Sequence, residues 1–232
     1  MRSVSQRIEA LPVDDGPRPG GFVPPGLRFG SFVALMGIAG GWVAALAFLP
    51  GLTSRMLPWI VGRALGIAAY TDLVLLVAVG TWFRHPWRLR HTVLHPQTQL
   101  RLHAGLSAGA IALVAGHVAA LVADSYAKVG LLGAFVPGAS GYRPLAVAVG
   151  VVALYAGLAV GLGAALSGRT GWGWLGVHRL GAAVLAFAWL HGVLAGTDTI
   201  ALRWFYVLTG ALLTALVASR HAAVPPQEKL RQ

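Results

Sequence analysis

Residues 101–117 read RLHAGLSAGAIALVAGH and lie within a longer apolar stretch, 99–122, that carries two histidines fourteen positions apart. A helix over this stretch is long enough to cross about 30 Å of hydrocarbon. Ionisable side chains are costly inside a bilayer and usually mark a functional site. The stretch therefore predicts a membrane-spanning helix that carries two functional histidines.

The composition of the whole chain also indicates a membrane protein. Of its 232 residues, 56% are hydrophobic and 11% are charged, whereas soluble domains carry about 25% charged residues. The same composition excludes a disordered chain, because disordered chains are poor in apolar residues. The chain has no cysteine, which excludes disulfides, zinc–thiolate sites, cysteine-bound iron–sulfur clusters and covalently attached c-type haem.

Six apolar stretches are each long enough to form a transmembrane helix. They lie at 30–50, 58–82, 99–122, 144–166, 174–195 and 200–219. We therefore predict an all-α integral membrane protein whose six-helix transmembrane domain covers 29–220. Residues 1–28 are rich in proline, glycine and charge and predict a flexible cytoplasmic leader, and 221–232 predict a cytoplasmic tail.

The basic residues predict how the chain lies in the membrane. Of the 18 lysines and arginines, 13 lie in the leader, in the loops 83–101 and 167–179, and in the tail together with Arg220 immediately before it. The positive-inside rule then puts both termini of this multi-pass protein in the cytoplasm, in the plasma or inner membrane. The net charge of +11 is accounted for by this distribution and does not indicate a nucleic-acid partner.

Four histidines lie on the two predicted helices that run parallel, 99–122 and 174–195. His103 and His117 are fourteen positions apart, and His178 and His191 are thirteen apart, which is about 20 Å along a helix. Imidazoles from two facing helices can hold a metal inside a bundle, and this separation requires two sites. The simplest occupant is haem, which accepts two axial imidazoles, and two stacked haems would let electrons cross the bilayer.

Ideal helical geometry conflicts with this arrangement at one point. It leaves His103 and His117 about 40° apart around their helix axis, but His178 and His191 about 140° apart. A π-bulge or a bend near Gly181 would correct the second angle. Without one, the two sites lie at different azimuths.

The remaining ionisable residues are given simpler roles. Asp72 lies in the middle of the predicted helix 58–82, and a buried carboxylate needs a partner or a proton. We expect Asp72 to be hydrogen-bonded inside the bundle, with proton handling as the alternative. The histidines outside the helical quartet are expected to be solvated or to contact lipid headgroups, namely His85, His91, His95 and His221.

Four segments resemble the ferric-reductase-like transmembrane family, which includes ferric reductases, NADPH oxidases and MsrQ/YedZ-like haem-binding membrane subunits. These segments are GRALGIAA (62–69), RLHAGLSAGAIALVAGH (101–117), VPGASGYRPLAVAVG (136–150) and WLGVHRLGAAVLAFAWLHGVLAGTDT (174–199). The resemblance covers about 58–219, and the paired histidine spacing is its most specific part. It implies an inner b-type haem on His103 and His178 and an outer one on His117 and His191.

Three arginines are candidate partners of the haems. Arg63 resembles an arginine that lies beside the outer haem in NADPH oxidases, where it would meet a propionate or a developing anion. Arg101 and Arg179 neighbour the inner ligands, and their charge makes them candidate partners of the inner propionates. Anchoring at the membrane interface is the alternative role for all three.

The chain also departs from that family. Ferric reductases and NADPH oxidases usually continue into FAD- and NADPH-binding domains, so here we expect a separate flavin reductase or quinol to donate electrons. Leu121 stands where NADPH oxidases carry a further histidine, which weakens the case for dedicated superoxide production.

The sequence thus predicts a cytochrome b-like oxidoreductase subunit. It would pass electrons to an outer-side acceptor: ferric iron, oxygen or a partner oxidoreductase. A membrane transporter and a non-catalytic membrane scaffold with structural histidines are the alternatives.

Overall fold

The computed structural model describes residues 56–83, 85, 95–167 and 173–223, and all regular structure in these residues is helical. The helices are α1 (Leu57–Phe83), α2 (Pro96–Ala123), α3 (Gly130–Phe135), α4 (Pro144–Ala165), α5 (Trp174–His178), α6 (Gly181–Ala195) and α7 (Arg203–Ala223). The predicted leader 1–28 and the first predicted span, 30–50, lie outside the described residues.

Four helical stretches of the described part are long and apolar enough to cross a membrane. They are Leu57–Phe83, Pro96–Ala123, Pro144–Ala165 and Trp174–Ala195, the last comprising α5 and α6. A shorter apolar helix covers Arg203–Ser219. Large apolar side chains project outward from these helices, for example Leu145 with 83% of its surface exposed, and such surfaces are suited to contact with lipid.

Local sequence explains where two of the spanning helices begin. Pro96 and Pro144 occupy first-turn positions, where the missing N–H of proline costs no helical hydrogen bond. His95 precedes α2, and its Nδ1 accepts a hydrogen bond from the backbone N–H of Gln97 at 3.4 Å. The exposed His95 therefore acts as a helix cap.

Helix α1 is the central element of the described bundle. One face packs along α2, where Val61, Leu65 and Ala69 meet Leu113 in a buried cluster. Another face packs on α6 and α7 through a second cluster, formed by Tyr70, Val74, Leu185 and Tyr206. Helices α2 and α6, which carry three of the four helical histidines, are thereby both held against α1, and each contacts α1 more than it contacts the other.

Two antiparallel helix pairs, α1 with α2 and α4 with α6, make the most extensive contacts. Along α1 and α2, Gly66 lies against His117 and Gly80 lies against His103, so the two helices run in opposite directions. Along α4 and α6, Gly150 lies against His191 and Gly157 faces Val184 in the same manner. Both pairs have small residues at the crossing, which lets helix backbones approach closely in a membrane.

The predicted helix 174–195 is interrupted at residues 179–180, immediately before Gly181. The Leu180 N–H bonds to the Val177 carbonyl at 3.0 Å, which is the tight spacing of a 3₁₀ turn. An irregularity is thus present near Gly181, where a π-bulge or bend was one of the two predicted possibilities, but the backbone is tightened there and does not widen into a π-bulge.

Candidate functional site

The four helical histidines form two pairs. His103 of α2 faces His178 of α5 with ring centroids 5.9 Å apart, and His117 of α2 faces His191 of α6 at 6.4 Å. The ring planes are inclined at 68° in the 103/178 pair and at 76° in the 117/191 pair. Each pair thus joins one residue from α2 to one from the α5–α6 segment, at opposite ends of the bundle.

Both histidines of the 117/191 pair are held by backbone carbonyls. His117 Nδ1 lies 2.6 Å from the Gly62 oxygen, and His191 Nδ1 lies 2.8 Å from the Ala146 oxygen. A carbonyl oxygen only accepts hydrogen bonds, so Nδ1 carries the proton in each ring. Nε2 of each neutral ring then keeps its lone pair, which is how proteins prepare histidine as a metal ligand.

Glycines make these carbonyls accessible. A methyl group at Gly66 would lie 2.8 Å from Cε1 of His117, and one at Gly150 would lie 2.6 Å from Nδ1 of His191. In each case the glycine stands four residues after the residue whose carbonyl accepts the hydrogen bond. Both antiparallel helix pairs therefore use the same arrangement, in which a histidine occupies the space above a glycine and bonds to the carbonyl one turn earlier.

The 103/178 pair lies among aromatic rings. Phe83 is 6.3 Å from His103, and Trp174 is 5.2 Å from His178, measured between ring centroids. Gly80 provides the space for His103, because a methyl group there would lie 2.9 Å from its Cε1. His103 Nδ1 is buried and has no hydrogen-bond partner among the residues that the structure describes.

The segment before α4 holds the end of α6 that follows His191. The Tyr142 hydroxyl donates to the Ala195 carbonyl at 2.9 Å, and Arg143 Nη1 donates to the Leu194 carbonyl at 2.7 Å. These donors satisfy the last carbonyls of α6, which have no partner within their own helix. Arg143 adopts the left-handed backbone conformation, with φ 38°, to make this contact.

The three predicted arginines have different surroundings. Arg63 forms an ion pair with Asp198, a residue that the sequence analysis did not single out, and its guanidinium lies 5.9 Å from the Trp59 ring centroid. Arg101 and Arg179 are exposed. Their side chains make no hydrogen bond or ion pair with any described residue, and both flank the 103/178 pair along the chain.

Two expectations from the sequence are wrong. Asp72 is buried, but neither of its carboxyl oxygens has a hydrogen-bond partner in the described part of the chain. His85, expected in solvent or against headgroups, is only 1% exposed, its Nε2 lies 3.2 Å from the Ser219 hydroxyl, and its ring stacks on Trp82. Ser219 lies 134 residues from His85 along the chain, and no local pattern reveals such a contact.

The glycines behind the histidines were also missed, although the sequence contains a signal for them. Gly62 and Gly66 form a small-x3-small pattern on α1, and Ala146 and Gly150 form another on α4. Such patterns mark close helix contacts in membranes. They do not by themselves indicate which side chain fills the space.

No group of three or more His, Cys, Asp or Glu side chains gathers within the described ranges, so each candidate centre offers two imidazoles.

No family model, curated protein or solved structure matches the chain.

Proposed function

We propose that the two histidine pairs hold two b-type haems and that the chain carries electrons across a membrane. The main support for this proposal is the distance between the paired rings, 5.9 and 6.4 Å between centroids. A metal lies about 2 Å from an imidazole nitrogen. Two imidazoles that bind one metal from opposite sides therefore have ring centres about 6.4 Å apart. Both pairs have the spacing of ligands to one shared ion.

The chemistry of the donors supports haem as the ligand. An iron porphyrin supplies four nitrogens and takes one or two axial ligands from the protein, whereas ions bound by side chains alone usually have three or four. Each pair offers two imidazoles, and in the 117/191 pair both rings keep Nε2 available. When bound in this way, haem iron accepts and donates single electrons.

The separation of the two pairs suits transfer across a bilayer. His103 and His117 are fourteen residues apart on α2, which is about 21 Å along the helix axis and most of the roughly 30 Å thickness of a hydrocarbon core. Between them, α2 carries one polar side chain, Ser107, whose hydroxyl donates to the His103 carbonyl at 2.9 Å. This apolar stretch between the two levels favours electron transfer over the passage of ions, which would need a continuous polar route.

The remaining assignments follow the resemblance to ferric-reductase-like proteins. In a six-span arrangement with both termini in the cytoplasm, the 103/178 pair is the inner site and the 117/191 pair the outer one. A flavin reductase or quinol donates electrons, and ferric iron, oxygen or a partner oxidoreductase accepts them. Arg101 and Arg179 are available for the inner propionates, and Arg63 serves the outer haem while its charge is balanced by Asp198.

The test is the dithionite-reduced minus oxidised spectrum of detergent-purified protein expressed with haem supplied, together with a pyridine haemochrome count. We expect b-type bands and about two haems per chain. His191→Ala and His178→Ala should each lower the count to about one, since each removes an axial ligand from a different site. His95→Ala, at an exposed helix cap, is the matched control and should keep both haems.

The proposal fails if the wild-type protein binds no haem, or if a variant lacking all four helical histidines keeps the full count. The transporter and scaffold alternatives would then be separated by ion flux into vesicles.

A further inference from the structure

Asp72 is a buried carboxyl group that the proposed electron path does not use. It is 4% exposed, and neither carboxyl oxygen has a hydrogen-bond partner within the described residues. Asp72 lies three residues after Ala69 and seven after Leu65, so it shares the face of α1 that packs on α2. Its carboxyl group therefore faces the helix that carries His103 and His117.

Asp124 shows that this chain does satisfy a buried carboxylate elsewhere. It is also 4% exposed, but its two oxygens accept hydrogen bonds from the backbone N–H groups of Tyr126 and Ala127, at 3.2 and 2.6 Å. A carboxylate charge with no such donors is costly in a low-dielectric interior. Asp72 is consequently stable as the neutral acid unless a positive charge nearby compensates its ionised form.

Asp72 lies between the levels of the two histidine pairs. On the same helix, Gly66 contacts His117 and Gly80 contacts His103. Asp72 is six residues from the first glycine and eight from the second, or about 9 and 12 Å along the axis. The carboxyl group is thus close in height to the midpoint between the proposed haem sites.

Asp72 is the only acidic residue among the described residues of α1 and of the helices that pack against it, namely α2, α6 and α7. The titratable and charged groups described on these helices and on α1 itself are Arg63, Tyr70, Arg101, His103, His117, His191, Arg203 and Tyr206. Apart from the proposed ligands, these are arginines and tyrosines, and none is within hydrogen-bonding distance of Asp72. The charge that varies around Asp72 is then the charge at the two histidine pairs.

We propose that Asp72 is a proton-binding site coupled to the redox state of the two haem sites. This inference rests on the proposed function. With haem held at the histidine pairs, Asp72 would bind one proton when an electron from the donor enters either site, and it would release that proton when the electron leaves. The sign follows from electrostatics, because an electron entering removes a positive charge that stabilised the carboxylate across a weakly screening interior.

Redox titrations at a series of pH values test the coupling in the haem-loaded protein. Reduction favours the protonated form, so the midpoint potential should fall as pH rises, by up to about 59 mV for each tenfold change in proton activity. Asp72→Asn should abolish this slope. Asp124→Asn, the equally buried but hydrogen-bonded control, should retain it.

Infrared difference spectra provide a second readout. The reduced minus oxidised spectrum of the wild-type protein should contain a carboxylic acid C=O band that shifts in D₂O and is lost in Asp72→Asn. If Asp72→Asn does not assemble, Asp72→Glu keeps the acid and should move the band while retaining the slope.

The inference is overturned if the wild-type potentials do not change with pH, or if Asp72→Asn keeps the wild-type slope and band. In both cases the haem count stays at about two per chain and the proposed function stands. Absence of haem from the wild-type protein would overturn both proposals together.

Discussion

The shape of the 117/191 site depends on residues that lack a side chain. His191 occupies the volume above Gly150 and reaches the carbonyl of Ala146, and His117 does the same above Gly66. The glycines thereby set both the position and the protonated nitrogen of each imidazole. Any larger residue at these positions must displace a proposed ligand.

Gly150→Ala should damage this site, and Gly161→Ala on the same helix should not. The added methyl group at Gly150 would lie 2.6 Å from Nδ1 of His191, whereas one at Gly161 would meet nothing within 4 Å. Overpacking costs about 1–3 kcal/mol, while alanine in an unobstructed helix position gains roughly 0.5–1 kcal/mol over glycine. Thermal unfolding in detergent should show a lower Tm for Gly150→Ala and an unchanged or higher Tm for Gly161→Ala.

Haem content should follow the same order, with Gly150→Ala losing haem at the 117/191 pair and Gly161→Ala keeping both. Equal Tm values and equal haem content in the two variants would contradict the role assigned to Gly150.

At the residue scale, the sequence singled out the four histidines that the structure brings together in two pairs, but it did not predict their surroundings. The quartet could be recognised because ionisable residues are rare in apolar stretches and because their spacing repeats on two helices. His85 was assigned incorrectly, since its burial involves a contact with Ser219, 134 residues away. Asp72 is buried as expected, but the expected hydrogen bond is absent from the described residues. Arg63 was a candidate, but its partner Asp198 was not.

At the scale of elements, His178 of α5 and His191 of α6 both pair with histidines of α2, one on each side of the junction at residues 179–180. Thirteen residues of ideal helix leave these two side chains about 140° apart. The 3₁₀ turn at residues 179–180 winds more tightly than an α-helix and reduces that angle. An irregularity near Gly181 was one of the two possibilities that the histidine spacing left open, and its hydrogen-bond type could not be predicted.

One alanine inserted between Leu180 and Gly181 should disrupt one of the two histidine pairs. It rotates α6 by about 100° relative to α5 and shifts it by about 1.5 Å, so His178 and His191 can no longer both face α2. We expect the pyridine haemochrome count to fall from about two to about one per chain.

The control is the same insertion between Pro137 and Gly138, both exposed in the loop before α4. It should keep both haems, since a loop absorbs an added residue. A full haem count after the insertion at Leu180 would show that the α5–α6 register does not position the histidines.

At the scale of the whole molecule, the described helices form a bundle whose outward surface is apolar. Four stretches are able to span a membrane, and exposed leucines such as Leu132 (71%) and Leu158 (48%) cover its flanks. The lysines and arginines that would orient such a bundle lie mostly in the segments that are predicted on one side of the membrane. The positive-inside rule turns that asymmetry into a testable orientation.

The absence of cysteine from the chain allows introduced cysteines to report this orientation. Ser125 follows α2, Ala222 lies near the end of α7, and both are exposed. A membrane-impermeant maleimide should label Ser125→Cys in intact cells and Ala222→Cys only after lysis. Both termini are predicted to be cytoplasmic, which puts Ala222 on the inner side and the end of α2 on the outer side. The reverse pattern would invert the inner and outer assignments of the two histidine pairs.

The sequence by itself determined that this chain is apolar enough for a membrane and that four histidines lie at two levels on two of its apolar stretches, 99–122 and 174–195. These features are local, because a span depends on a continuous run of apolar residues and the rise of a helix is constant. Only the tertiary structure decided which glycine lies behind which histidine and which carbonyl orients its ring. It also left Asp72 without a hydrogen-bond partner among the described residues and joined Arg63 to Asp198. These contacts depend on how separate helices rotate and cross, and they join residues as far apart as His117 and Gly62, 55 positions along the chain.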